Sequence, residues 1–160
     1  MAHNHPERGA GEIRRHPRVK GICIFRKDNS ILVAEGYDRA KCETFYTPLG
    51  GEVEFGEYGN HAIAREVREE IGAEVLNVRF IGTLENIFNF EGEKEHEIVL
   101  VYEGEFKDRA LYTKPVIEGF EESLEYHGRI KATWKPISNF GCEAPLYPEG
   151  LLELLADAAS

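Results

Sequence analysis

The stretch "GGEVEFGEYGNHAIAREVREEIGA", residues 50–73, opens with two glycines and carries glutamates concentrated near its end. Residues 57–71 predict a helix, and Gly72 stands at the position of a helix C-cap. Three carboxylates fall within one stretch of this helix, and they belong to Glu66, Glu69 and Glu70. Like charges at this spacing repel by a few tenths of a kcal/mol per pair. We therefore expect an interaction that offsets the repulsion.

Helical geometry places the three carboxylates together. At about 100° per residue they occupy an arc of roughly 100° on one side of the helix. Ala64, Val67 and Ile71 point away from this arc and predict the face that packs on the protein. Ala62 falls within the arc, where its small side chain would leave room for ions and water. The spacing suits a hard cation such as Mg²⁺, which prefers oxygen ligands, but a solvated glutamate-rich surface is the alternative on spacing alone.

The complete pattern decides between these alternatives. Counted from Gly51, the segment fills every fixed position of the pattern G-x5-E-x7-R-E-U-x-E-E-x-G-U, where U is aliphatic, with Ala73 a small residue in the last position. This closely resembles the Nudix box of the Nudix hydrolases. The resemblance implies an α/β fold, an α/β/α sandwich around a mixed β-sheet. It also implies cleavage of the pyrophosphate link of a nucleoside diphosphate joined to another group, with Mg²⁺ or Mn²⁺ as cofactor.

The resemblance assigns roles position by position. Glu66, Glu69 and Glu70 resemble the metal-binding carboxylates, with the Gly50 carbonyl as a further ligand. Arg65 is expected to orient Glu66 through an ion pair. The predicted catalytic residues are Glu66, Arg65 and Glu69.

The hypothetical mechanism is attack on phosphorus by a metal-activated water that a glutamate deprotonates. Glu66 is the first candidate for this base. In parts of the family the base lies outside the box, so four other glutamates stay open as candidates, namely Glu97, Glu118, Glu121 and Glu122.

The rest of the chain predicts strands around this segment. Residues 1–17 contain no apolar period and predict a flexible N-terminal arm, followed by a single domain over residues 18–160. The predicted elements are a hairpin of residues 19–25 and 31–37, a short strand within 44–51, a long hairpin of 74–90 and 95–106, a surface loop over 107–127, a strand at 129–137 and a closing helix within 148–160.

Charge and cysteine content limit the partners. Nineteen basic against 29 acidic residues give a formal net charge of −10, which disfavours nucleic acid and anionic membranes. The three cysteines form no disulfide or zinc pattern, which fits a cytoplasmic protein. A small-molecule nucleotide is the expected partner, and a homodimer stays open because many relatives of this kind are dimers.

Substrate contacts are less well defined by the sequence. Tyr46 and Phe88 are candidates to stack on a base, and Arg129 is a candidate to contact phosphates, although strand aromatics are usually core and strand arginines usually solvated. Two functions remain: a Mg²⁺-dependent pyrophosphohydrolase, and a non-catalytic nucleotide-binding sensor with the same fold. The intact carboxylate set favours the enzyme, and the substrate itself does not follow from these residues.

Overall fold

The computed structural model of the protein describes residues 16–122 and 127–158. Most of the predicted arm, residues 1–15, and residues 123–126 of the predicted loop lie outside this range. The described elements, in chain order, are β1 (Arg18–Ile24), β2 (Arg26–Lys27), β3 (Ser30–Asp38), β4 (Glu43–Thr47), β5 (Leu49–Glu52), α1 (Gly59–Ile71), β6 (Val75–Phe90), β7 (Glu93–Phe106), a 3-10 helix (Arg109–Thr113), β8 (Val116–Glu122), β9 (His127–Pro136), a second 3-10 helix (Ile137–Asn139) and α2 (Leu151–Ala158).

The strands form two sheets. The first has the order β5-β1-β7-β6 and is mixed, because β1 runs parallel to β7 while its other pairings are antiparallel. The second has the order β2-β3-β9-β8, with β4 paired to β3, and is antiparallel throughout.

The two helices cover opposite faces of the sheets. Successive side chains of a strand point to opposite faces, and β1 shows this alternation: Cys23 belongs to a buried cluster with Val67 of α1, whereas Ile22 belongs to a second cluster with Leu155 of α2. The sheets therefore lie between α1 and α2, which confirms the α/β/α sandwich. No helix in the described ranges is long and apolar enough to cross a membrane.

The helix of the opening segment is close to the prediction. It begins at Gly59 rather than at residue 57, and Gly72 ends it in the left-handed conformation with φ of 69°. Its buried face is rotated from the predicted one, since Ala62 is completely buried beside Val67 while Ala64 is only partly buried. The expectation that Ala62 leaves room for ions is therefore wrong, because that position packs against the sheet.

The predicted hairpin of residues 19–25 and 31–37 is also wrong. Strand β1 lies in the first sheet between β5 and β7, whereas β3 lies in the second sheet, and only the two-residue β2 pairs with β3. The reason is that β1 is buried on both faces by partners distant in sequence, which a local turn signal cannot reveal. In contrast, the long hairpin of β6 and β7 is confirmed.

The segment 107–127 is not simply a loop. It contains a 3-10 helix and β8, which pairs with β9. Ile117 is buried, and a Cβ at Gly119 would overlap the backbone carbonyl of Glu70. The glycine thus lets β8 approach the C-terminal end of α1, and this contact brings the strand to the carboxylates described next.

Candidate active site

Two glycines of β5 place the strand against β1 and α1. Gly50 lies opposite Ile22 of β1, and a Cβ at Gly50 would overlap the backbone of Gly21. A Cβ at Gly51 would overlap the carboxyl group of Glu66. Glycine at the first position allows tight strand pairing, and glycine at the second leaves the volume that the Glu66 carboxylate fills.

Arg65 is the centre of an ion-pair network that we call the Arg65 network, formed with Glu57, Glu66 and Glu69. Its Nε and Nη2 atoms donate to the two carboxylate oxygens of Glu57 at 2.8 and 3.0 Å, and Nη2 also donates to the carbonyl of Glu52 at 3.0 Å. Its Nη1 donates to Glu66 at 2.9 Å and to Glu69 at 3.2 Å. The hydrogen bond from Arg65 lowers the pKa of Glu57. One side chain therefore joins β5, the loop and α1.

Glu66 and Glu69 share Arg65 but differ in exposure. The Glu66 side chain is 18% exposed and that of Glu69 is 59% exposed. Burial raises the pKa of Glu66, against the lowering effect of Arg65. A carboxylate whose pKa is raised toward neutral pH accepts a proton more readily, so Glu66 is better placed as a base than its solvated neighbour.

Glu70 turns inward, away from the open side of α1. It is 6% exposed, and a backbone hydrogen bond joins it to Gly50. Its pKa is raised to about 9, chiefly by burial and further by the charges of Glu121 and Glu66. Lys20 opposes this rise. Glu70 therefore lies in a place where negative charges meet and a cation would be stabilising.

The predicted metal ligands are not gathered in a ready-made site. Within residues 16–122 and 127–158, no group of three or more His, Cys, Asp or Glu side chains is arranged to hold a metal ion. Arg65 contacts both Glu66 and Glu69, and Glu70 is held at Gly50. The donors are all oxygen atoms, the class that Mg²⁺ prefers, so the donor set fits such an ion once these carboxylates reorient.

Among the glutamates proposed as a base outside the box, Glu121 is the one whose charge acts on the pKa of Glu70. It shares a face of β8 with Gly119, which contacts the end of α1, and its charge raises the pKa of Glu70. Glu118 and Glu122 lie on the other face of β8 and are exposed. The sequence could not separate these candidates, because the distinction depends on which face of β8 packs on α1.

Glu97 belongs to a second ion-pair network on the α2 side of the first sheet, which we call the Arg18 network. Arg18 of β1 lies opposite Glu97 of β7, and its Nη2 contacts Glu97 at 2.7 Å and Glu95 at 2.9 Å. Lys20 Nζ lies 3.2 Å from the same Glu97 oxygen. The positive charge of Lys20 also lowers the pKa of Glu70, so this network acts electrostatically on a carboxylate of α1. Sequence reasoning missed it, although the alternation of charged residues in β1 was a signal.

The three predicted substrate residues lie in different parts of the fold. Tyr46 is on β4, where its hydroxyl donates to Glu35 at 3.3 Å and Lys135 Nζ lies 4.4 Å from the centre of its ring. Phe88 is half-buried on β6, and Arg129 is exposed on β9. Their roles at the substrate stay predictions.

Comparison with known proteins is consistent with this geometry. The sequence model of the NUDIX domain family matches residues 14–127. The chain is similar to the NAD-capped RNA hydrolase NudC of Vibrio atlanticus (strain LGP32), with 38% identity over 87 residues, which cover 52% of this chain and 32% of that protein. NudC of Vibrio vulnificus (strain CMCP6) is 39% identical over 87 residues, covering 52% of this chain and 33% of that protein. The chain thus spans about a third of the length of the curated relatives it matches.

Solved structures agree on the fold. A MutT NUDIX hydrolase from Burkholderia pseudomallei superposes with a TM-score of 0.61 and 20% identity, covering 88% of this chain and 98% of that one. A NUDIX hydrolase from Nitrosomonas europaea gives a TM-score of 0.62 and 19% identity, covering 90% of this chain and 89% of that one.

Proposed function

Because the chain belongs to the Nudix family, we propose that it is a pyrophosphohydrolase that uses Mg²⁺ or Mn²⁺ to cleave a nucleoside di- or triphosphate or a related nucleoside diphosphate conjugate. The single observation that carries this proposal is the placement of Glu66 over Gly51 by Arg65, within an intact Nudix box. A binding protein has no need of a carboxylate held so closely beside further carboxylates.

The proposed chemistry assigns separate tasks to these side chains. Glu66, Glu69, Glu70 and the Gly50 carbonyl would hold the metal, which when bound neutralises the diphosphate and lowers the pKa of a coordinated water. Glu66 accepts the proton as the water oxygen attacks phosphorus in line with the departing phosphate oxygen, so one P–O bond forms and the bridging P–O bond breaks.

Other residues support this step. Arg65 keeps Glu66 oriented while Glu57 fixes Arg65 from the loop. Glu121 is the second candidate for the base, because its charge already acts on Glu70.

A nucleotide-binding sensor is the second candidate function. It is favoured by one observation, the ion pairs that Arg65 makes with both Glu66 and Glu69, because these pairs engage two of the three expected metal ligands. A sensor would bind nucleotides and leave them intact.

The test is release of phosphate or pyrophosphate from a panel of nucleoside di- and triphosphates, nucleotide sugars, dinucleoside polyphosphates and ADP-ribose, with Mg²⁺, Mn²⁺ or EDTA. NAD-capped RNA is included because the curated relatives are named for it, although the net charge of −10 disfavours a long RNA partner. We expect turnover of one class that EDTA abolishes. Binding without turnover of any member would support the sensor instead.

Substitutions connect turnover to the site. Glu66→Gln should lower kcat by about 10²- to 10⁴-fold, the usual contribution of a general base, with circular dichroism unchanged. Glu93→Gln, at an exposed position in β7, is the matched control and should leave kcat unchanged. Near-normal turnover by Glu66→Gln would remove Glu66 as the base, and the same measurement on Glu121→Gln would then decide for the alternative.

A further inference from the structure

An open cavity of about 600 Å³ lies at one end of the first sheet. Its walls come from β2 and the turn after it, the first part of β6, the last part of β7 and the 3-10 helix Arg109–Thr113. None of the described residues that line it belongs to β5 or α1. Sites for small molecules have volumes of about 300–1,000 Å³. The cavity is therefore large enough for a small organic ligand and is separate from the candidate active site.

Cations outnumber carboxylates in this cavity, although the whole chain has a net charge of −10. The charged side chains that line it are those of Arg26, Lys27, Arg79 and Arg109, and those of Asp28, Glu103 and Glu105. We call the space that these seven side chains line the basic cavity. A concave surface with an excess of one charge attracts ligands of the opposite charge, so the basic cavity favours an anion.

Two of its three carboxylates are already engaged. Glu103 Oε1 lies 3.2 Å from Arg26 Nε, and Glu103 Oε2 lies 3.0 Å from Arg79 Nη2. Glu105 accepts a hydrogen bond from the Asn77 amide at 2.8 Å. Each oxygen of Glu103 thus has its own guanidinium, and this group of three side chains keeps a net positive charge. These carboxylates do not neutralise the other two cations of the cavity.

Lys27 and Arg109 have aromatic rings as their neighbours. The guanidinium carbon of Arg109 lies 4.6 Å from the centre of the Tyr112 ring, and Lys27 Nζ lies 5.9 Å from the centre of the Trp134 ring. Within the described residues, neither cationic side chain makes a hydrogen bond or an ion pair. A guanidinium stacked on a ring keeps the N–H donors at its edge. Both cations therefore have donors left for a ligand.

The two rings form a rigid support for these cations. Tyr112 and Trp134 stack with their centres 5.4 Å apart and 23° between their planes. The backbone N–H of the buried Phe106 donates to the Tyr112 hydroxyl at 3.0 Å, and the Phe106 ring packs edge-on against both rings. Ordering a mobile side chain on binding has an entropic cost. Rings held in this way reduce that cost, because they position the cations before a ligand arrives.

We propose that the basic cavity is a second binding site, which takes the phosphate group of a small phosphorylated molecule such as a nucleotide. The parallel N–H donors of a guanidinium match phosphate oxygens, and a phosphate monoester carries about 1.5–2 negative charges near pH 7, which suits two cations. A phosphate ion alone fills only part of about 600 Å³, so there is room for an organic group attached to it. The inference goes beyond the proposed function, because the ligand need not be hydrolysed.

A titration with AMP tests the site directly, because AMP contains no pyrophosphate link to cleave. Amide chemical shifts of the isotope-labelled full chain, in buffer stripped of divalent cations, locate the binding. We expect millimolar AMP to shift residues 26–28 and 109–113 saturably and residues 64–70 little. Adenosine, which lacks the phosphate, should shift neither set. Inorganic phosphate separates the two sources of the group: affinity equal to that of AMP assigns the site to the free ion, and weaker affinity assigns it to a phosphate ester.

Three variants assign the binding to individual side chains. Arg109→Gln should weaken AMP binding about tenfold, the usual effect of losing a hydrogen bond to a charged partner, and Lys27→Gln should weaken it severalfold. Asp28→Asn should strengthen it about twofold, because it removes a repelling carboxylate from the rim. Asparagine tolerates the positive φ of 52° at this position. Arg39→Gln, at an exposed position just after β3, is the control and should keep the wild-type affinity.

Three results would overturn the inference. The first is an AMP titration that shifts only residues 64–70 or shifts no residue. The second is equal binding of AMP and adenosine, since the phosphate would then have no part in recognition. The third is wild-type affinity in a folded Arg109→Gln variant, with circular dichroism as the check of folding. Arg109 is exposed, so its replacement should leave the fold intact.

Discussion

The two arginine-centred networks of this protein use the same residue types in opposite ways. Arg65 has a side chain that is 25% exposed, and its partners lie at most 13 residues away in the sequence. Arg18 has a side chain that is 7% exposed, and its carboxylate partners are 77 and 79 residues away. The Arg65 network organises a local site, whereas the Arg18 network joins distant strands in a buried place. We therefore expect the first to control activity and the second to control stability.

The pKa of Glu70 responds to a charge from each network, Glu66 and Lys20, and its titration should give the largest effect. Its pKa is about 9 in the folded protein and 4.5 when unfolded. Between these values the folded state keeps a proton that the unfolded state releases, so the contribution of Glu70 to stability is greatest below pH 4.5 and falls as pH rises toward 9. From pH 5 to pH 8 the contribution of Glu70 to the free energy of unfolding should fall by about 4 kcal/mol, at about 1.4 kcal/mol per pH unit.

Urea unfolding in EDTA measures this fall, and Glu70→Gln isolates it because glutamine does not titrate. The variant should be more stable than the wild type at pH 8 and should lose metal-dependent turnover. Glu69→Gln, at an exposed carboxylate, is the control and should keep the wild-type slope. Parallel slopes for the wild type and Glu70→Gln would contradict the burial of a protonated Glu70.

Arg18→Leu tests the stability half of the comparison. Removing one partner of a buried ion pair leaves an uncompensated charge, and typically lowers the free energy of unfolding by about 3–5 kcal/mol. Arg65→Leu should lower it by about 1 kcal/mol, because its partners are partly solvated. Urea unfolding of both variants at pH 7 measures the difference. Equal losses would show that burial does not separate the two networks.

The same contrast explains how much the sequence could predict. The Arg65 network could be predicted from the sequence, because all its members fall within residues 50–73, where helical spacing and a motif define their neighbours. The Arg18 network was not, because it depends on the parallel pairing of β1 with β7, and the local turn signal wrongly favoured β3.

The inward position of Glu70 also could not be predicted from the sequence. Helical spacing placed Glu66, Glu69 and Glu70 on one arc, and this is correct for their angular positions. Their environments differ because β8 and β5 cover the Glu70 side of α1, which brings Glu121 and Gly50 to it. The pattern of one helix cannot show which strand packs on it, and β8 itself was predicted as a loop.

Gly51→Ala tests the activity half of the comparison. The added Cβ would overlap the Glu66 carboxyl group, so Glu66 must leave its position beside Arg65. A displacement of about 1 Å at a catalytic group can reduce the rate by about 100-fold, and we expect such a fall in kcat/KM on the preferred substrate. Gly141→Ala, where an added Cβ meets no atom within 4 Å, is the control and should keep wild-type kinetics.

Arg79→Gln should give the smallest effect and sets the baseline for both networks. Arg79 Nη2 lies 3.0 Å from Glu103 Oε2, as close as the contacts of Arg65, but its side chain is 63% exposed. Water screens such a pair and ordering the long side chain has an entropic cost, so exposed ion pairs contribute less than about 1 kcal/mol. Urea unfolding should detect little change and kcat/KM none. A loss as large as that of Arg18→Leu would show that distance alone, rather than burial, determines what an ion pair contributes in this fold.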